Sequence, residues 1–289
     1  MSINTTSNAI NVSSFSIDGE LFDEDNLFRA LNMIFRVMSA ASGVLSLCTM
    51  LRIILHKNLR KQSSIIPFNI VLCDFISIAL RYIPPSNKRQ INVIIYTALL
   101  GSDLTSLLNI LLVALQQFIT IRVDPFGARG IITTPRTVAA CVLSWIVPLS
   151  FTALLALNQT GIASIFLIMD TTILVTIGIF YLFLYRAISK GPPGVHISKQ
   201  RKQENRQVFV TIVLVYVTTL IFRMMFRLLH LAMELFIGYQ FLWPLTNIAI
   251  TFSVVSNSLV YWWRLEEFRL ILFKCKKYTS RPKKIDVLG

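Results

Sequence analysis

The chain has 289 residues, of which 54% are hydrophobic and only 15% charged, and its mean hydropathy is positive. An ordinary soluble domain carries about 25% charged residues, so this composition excludes one and points to an integral membrane protein. A net charge of +14 raises nucleic acid as a partner only until the basic residues are placed along the chain.

Residues 1–26 form a polar, acidic tail with Asp18, Glu20, Asp23, Glu24 and Asp25, and with glycosylation sequons at Asn4 and Asn11. No basic start leads into an early apolar run, so a cleaved signal peptide is not expected. Apolar stretches of about 20 residues or more, the length a helix needs to cross a bilayer, follow at roughly 30–55, 64–83, 93–121, 137–157, 162–186, 208–233 and 241–263. They make seven spans inside a domain of residues 27–263, leaving 264–289 as a basic tail. Four cysteines, at 48, 73, 141 and 275, form no CxxC pair, and no disulfide framework is implied.

The basic residues sit between the spans. Lys57, Arg60 and Lys61 follow the first; Arg122, Arg129 and Arg136 the third; Lys190, Lys199, Arg201, Lys202 and Arg206 the fifth. Eight more follow the seventh. These segments are cytoplasmic by the positive-inside rule. The opposite side has Lys88 and Arg89 in its one basic loop, and there the third sequon, Asn158, also falls. An extracellular N-terminus, a cytoplasmic C-terminus and a plasma-membrane location are the expectation. The basic runs then face anionic inner-leaflet lipid, and nucleic acid drops out as a partner.

Spans this long without period-2 alternation read as helices, and in lipid a helix satisfies its own backbone. The expected fold is all-α: a seven-transmembrane-helix bundle with a short amphipathic eighth helix. That last element is read from Phe268, Ile271, Leu272 and Cys275, which recur at helical spacing while Glu266, Glu267, Arg269 and Lys276 point elsewhere. Cys275, among lysines, is a candidate for palmitoylation.

Several motifs then resemble the rhodopsin-like (class A) G-protein-coupled receptors across nearly the whole chain. Asn257-Ser-Leu-Val-Tyr261 is similar to that family's Asn-Pro-x-x-Tyr, with Ser258 in place of proline, and Trp262 through Arg269 resembles its turn into the eighth helix. Trp145 matches the tryptophan of the fourth span, and Asp74 resembles the buried aspartate that often binds sodium. Gln116-Gln117-Phe118 stands where the family has Asp-Arg-Tyr. The resemblance implies a polar core of Asp74, Ser106 and Asn257, a possible sodium ion near Asp74 and otherwise no cofactor. It also implies a G-protein side at Gln116, Gln117, Phe118 and Tyr261. The short loop between the fourth and fifth spans resembles the melanocortin, lipid and cannabinoid branch, whereas small size and short termini resemble chemosensory (odorant) receptors.

An ionisable side chain at membrane depth costs about 2.5–3.5 kcal/mol on insertion scales, so each one needs a reason. Asp103 lies mid-span in the third helix and Asp170 in the outer half of the fifth; Arg223, Arg227 and His230 follow at i, i+4, i+7 on the sixth. Arg36 and Arg81 occupy the outer parts of the first two spans. Two readings stand side by side. Asp103, Asp170, Arg223, Arg227 and His230 line an outer cavity for a small polar or anionic ligand, or the aspartates pair with the arginines to hold the bundle. His230 and Glu234 have the spacing of a metal pair, but two ligands make no site. No HExxH, GxSxG, phosphate loop or carboxylate pair points to an enzyme. The functional expectation is a receptor for a small molecule that signals to a heterotrimeric G protein. The alternative is a non-signalling seven-helix protein, a transporter or a receptor-associated scaffold, favoured by Gln117 and Ser258.

Overall fold

The computed structural model of the chain describes residues 24–55, 62–84, 86–124, 130–158, 162–190, 199–235 and 242–264. The sequons at Asn4 and Asn11, the amphipathic stretch after Arg264 and Cys275 lie outside these residues. Seven long helices are present among the described residues, and no strand: α1 (Glu24–Leu55), α2 (Ile65–Arg81), α3 (Arg89–Phe118), α4 (Thr134–Asn158), α5 (Ile162–Lys190), α6 (Lys199–Leu235) and α7 (Leu242–Arg264). Asn158 is thus the last residue of α4.

Five of them, α1, α3, α4, α5 and α6, contain stretches long and apolar enough to cross a membrane. The chain is membrane-embedded and multi-pass. The other two fall short for different physical reasons. α2 has 17 residues, about 26 Å at 1.5 Å per residue, against a hydrocarbon core of about 30 Å. α7 is long enough, but Thr246, Asn247, Thr251, Ser253, Asn257 and Ser258 dilute its hydropathy, and all six are buried against the bundle.

Burial follows the inverted logic of a protein in lipid. On α1 the small polar residues Ser39, Ser42, Ser46 and Thr49 recur at three- and four-residue steps and are all but fully buried. Small side chains let two helices approach, and hydroxyls give them something to share: Ser39 Oγ lies 3.3 Å from Thr251 Oγ1 and Ser46 Oγ 3.4 Å from Ser258 Oγ, both on α7. The opposite face of α1 exposes Met33, Val37, Val44 and Leu55. An aqueous solvent would penalise that apolar face, and lipid would not.

Neighbours pack α1 on α2 and α7, α2 on α3, α5 on α6 and α6 on α7, while α3 packs on α2, α4 and α5. α3 is the central element; every residue from Leu100 to Leu107 is buried. Gly101 makes its approach to α4 possible, since a Cβ there would lie 2.6 Å from Leu149 Cδ2 and 3.3 Å from Thr152 Oγ1. Gly101→Val is therefore expected to destabilise by about 1–3 kcal/mol through overpacking. A thermal melt of the purified variant reads this, and an unchanged midpoint would show that α4 gives way freely.

Prolines sit where the chain tolerates them. Pro67 and Pro244 fall in first turns, where a missing N–H costs little, and Pro148 alone lies inside its helix. At its far end α3 runs into one wide π-helical turn, Ile119–Val123, closed by Asp124 N donating to Ile119 O at 2.8 Å.

Candidate functional site

Three polar clusters hold the bundle from within, and one borders a cavity. The deepest joins α2, α3 and α4. Asn69 Nδ2 donates to Asn109 Oδ1 at 2.9 Å and Trp145 Nε1 donates to Asn69 Oδ1 at 2.8 Å, while Asn109 Nδ2 turns back to Thr105 O at 2.8 Å. Asn69 satisfies its own amide only by meeting both neighbours, so three helices share one node.

The second cluster brings together Asp74, Ser106 and Asn257. Ser106 Oγ donates to Asp74 Oδ1 at 2.7 Å and Asn257 Nδ2 to Asp74 Oδ2 at 3.3 Å, with Thr219 Oγ1 lying 3.4 Å from Asn257 Oδ1. Both carboxylate oxygens thus accept hydrogen bonds.

The third cluster is ionic. Asp170, on α5, is wholly buried, and its Oδ2 accepts from both Arg227 Nε at 2.6 Å and Arg223 Nε at 3.0 Å. The spacing of Arg223 and Arg227 puts them on one face of α6, which is why a single carboxylate reaches both. Arg223 Nη2 also donates to the backbone carbonyl of Asp103 at 2.6 Å. The Asp103 carboxylate takes Ser77 Oγ and, at 2.8 Å, Arg81 Nη2; Arg81 Nη1 donates to Asn247 Oδ1 at 2.7 Å. Arg227 stacks over the rings of Phe166 and Phe226, at 4.8 and 4.9 Å, and Arg81 lies 5.5 Å from the Phe226 centroid. Such stacking favours cations whose hydration has been stripped away. One network, Asn247 to Arg81 to Asp103 to Arg223 to Asp170 to Arg227, ties α7, α2, α3, α6 and α5 together.

That network is not balanced. Three guanidinium groups face two carboxylates, and among the described residues Arg81 Nε, Arg227 Nη2 and Asp170 Oδ1 are buried without a hydrogen-bond partner.

Beside it, at the end of the bundle that carries the α2–α3, α4–α5 and α6–α7 connections, lies a cavity of about 640 Å3. Phe35, Leu80, Tyr96, Leu99, Ile162 and Trp243 give it apolar walls; Arg81 and Asn247 reach it from the ionic network, and the exposed Arg89 stands on its edge. Asn92, also on the lining, holds the α2–α3 connection by accepting from Ser86 N and donating to Ser86 O, each at 2.7 Å.

Of the five residues expected to line an outer cavity, Asp103, Asp170, Arg223 and Arg227 meet in the network but do not line this cavity, and the His230 ring lies 6.2 Å from that of Phe226, the ring over which Arg227 stacks. Arg81 connects network and cavity. Its position at the end of a span reads in the sequence as a snorkelling cation, and Asn247 carries no charge to draw notice. On the far end of α3, Gln116 and Gln117 are half-buried, and the Phe118 ring packs 5.9 Å from Phe180 and 6.4 Å from Phe183 on α5. The backbone of Tyr261 belongs to α7.

No protein-family model matches this chain, and no curated protein matches it either.

Proposed function

We propose that this chain is a seven-helix membrane receptor, similar in organisation to the rhodopsin-like receptors. A small ligand enters the cavity at the α2–α3 end, which faces outside the cell by the placement of basic residues. A heterotrimeric G protein meets the opposite face, near Gln116, Gln117 and Phe118. The observation that carries this reading is the contact of that cavity with a buried ionic network reaching α6. A ligand that moves Arg81 disturbs Asp103, and Asp103 holds Arg223 of α6 through its carbonyl. The ligand drives α6 only so far as it binds the shifted arrangement more tightly than the resting one.

The seven-span topology, the plasma-membrane location and a chemosensory role belong to the same proposal; the last rests on family analogy, a warrant that concerns fold more than function. A non-signalling transporter or scaffold is the second reading, favoured by the rigid hold on α7. Ser258 lies against Ser46 of α1, and α7 runs unbroken from Leu242 to Arg264.

The test is ligand-free G-protein activation in transfected cells, with and without Gln117→Arg. The receptor reading expects a measurable basal signal that rises with the arginine. Silence toward every G-protein class in both forms, with the protein at the cell surface, would move the assignment to the non-signalling reading.

A further inference from the structure

We infer that the cavity beside Arg81 binds a monoanion with an apolar body, a carboxylate whose oxygens meet the Arg81 guanidinium. This rests on the reading of that cavity as the ligand site and adds the chemical class of the ligand.

The first argument is the supply of acceptors. Among the described residues Arg81, Arg223 and Arg227 form ion pairs with two carboxylates, Asp103 and Asp170, while Asp74 stands near Arg223 without an ion pair to it and gives its oxygens to Ser106 and Asn257. Three guanidinium groups therefore share the oxygens of two carboxylates, and buried donors left without acceptors are costly. A carboxylate brought by a ligand supplies further acceptors.

The second argument is place. Arg81 is the one charged member of the network that lines the cavity; its side chain is only 6% exposed, and its Nε has no partner among the described residues. A guanidinium presents its donors in a planar fork that suits a carboxylate. Asn247, already bonded to Arg81, fixes the orientation of that fork.

The third argument is the rest of the lining. Among the described residues it contains no acidic side chain, and Arg89 adds a second positive charge at the edge that draws anions in and repels an ammonium group. The walls are otherwise aliphatic and aromatic, and the volume lies within the range of about 300–1,000 Å3 typical of small-molecule sites. A carboxylate with a hydrocarbon or aromatic body matches each of these features.

The full chain in lipid nanodiscs, without G protein, tests this with octanoate, octanol, octylamine and hexadecanoate as probes, read by direct binding and by the shift in melting temperature. Octanoate is expected to bind about ten- to a hundredfold more tightly than octanol, the range for a charge-assisted hydrogen-bonded contact, and octylamine not at all. Preference for octanoate marks a ligand from water; preference for hexadecanoate marks one from the membrane. Arg81→Gln should erase the advantage of carboxylate over alcohol. Where that variant does not fold, Arg81→Gln with Asp103→Asn, which removes both partners, should do the same. Leu99→Trp, which fills the cavity and leaves the ions alone, should abolish binding. Equal binding of octanoate and octanol, no binding of either carboxylate, or full binding in Leu99→Trp would overturn the inference. Carboxylate binding without G-protein activation would sink the receptor reading and leave this one standing; activation by amines alone would do the reverse.

Discussion

Asp170→Asn is expected to destabilise the bundle by about 3–5 kcal/mol, the range for removing one partner of a buried ion pair, and to abolish accumulation of the protein at the cell surface. Asp170 is fully buried, and its one engaged oxygen serves both Arg223 and Arg227. The amide has the same shape but no charge, so two guanidinium groups lose their counter-ion at once. Arg223 keeps the Asp103 carbonyl, whereas Arg227 keeps only the Phe166 and Phe226 rings. Thermal melting in detergent and surface labelling in cells both read the loss. The triple variant Asp170→Leu, Arg223→Met, Arg227→Met should recover most of it, since apolar residues of similar volume avoid the desolvation that the ions suffer. A normal melting point for Asp170→Asn would show that these pairs contribute nothing to stability. The same geometry carries a consequence for Arg223→Gln with Arg227→Gln: it leaves Asp170 alone in the core, so expression and ligand response should fall together.

Hydropathy made most of the helices legible because lipid imposes one simple rule on every residue that faces it. It reads the thickness of the bilayer rather than the length of the helix, however. α6 therefore starts at Lys199, well before the apolar stretch at 208, and α3 at Arg89 rather than 93. α2 and α7 show the limit from the other side: α2 is short, and α7 is polar because its polar face is turned inward. The spacing of Arg223 and Arg227 told that they share a face of α6, but no spacing within one helix tells which helix lies opposite. Asp170 took both arginines, and Asp103 divided its side chain and its carbonyl between α2 and α6. The cavity was least legible. Its key residue, Arg81, ends a span, where a cation normally escapes to the interface, and only the fold turns it inward to Asp103 and Asn247.

Asn69→Leu is the second change expected to act strongly. Asn69 was invisible to a search for charges, yet it bonds both Asn109 and Trp145, and Trp145 stands out in the sequence without revealing what its indole meets. Leucine keeps the volume and removes the amide. It strands the Trp145 N–H and leaves Asn109 Oδ1 with the weaker contact to Ser144 Oγ at 3.3 Å. Each stranded buried group costs about 1–3 kcal/mol, and lipid offers no water to soften the loss. Trp145→Phe alone should cost less, because Asn69 keeps its bond to Asn109. Combining the two changes removes donor and acceptor together, so the double variant should be more stable than the sum of the single losses implies, by an interaction energy within about 0.5–3 kcal/mol. Melting temperatures of the four proteins supply that cycle. Strict additivity would mean that Asn69 and Trp145 act separately, and that α2 and α4 are held by packing on α3 rather than by this node.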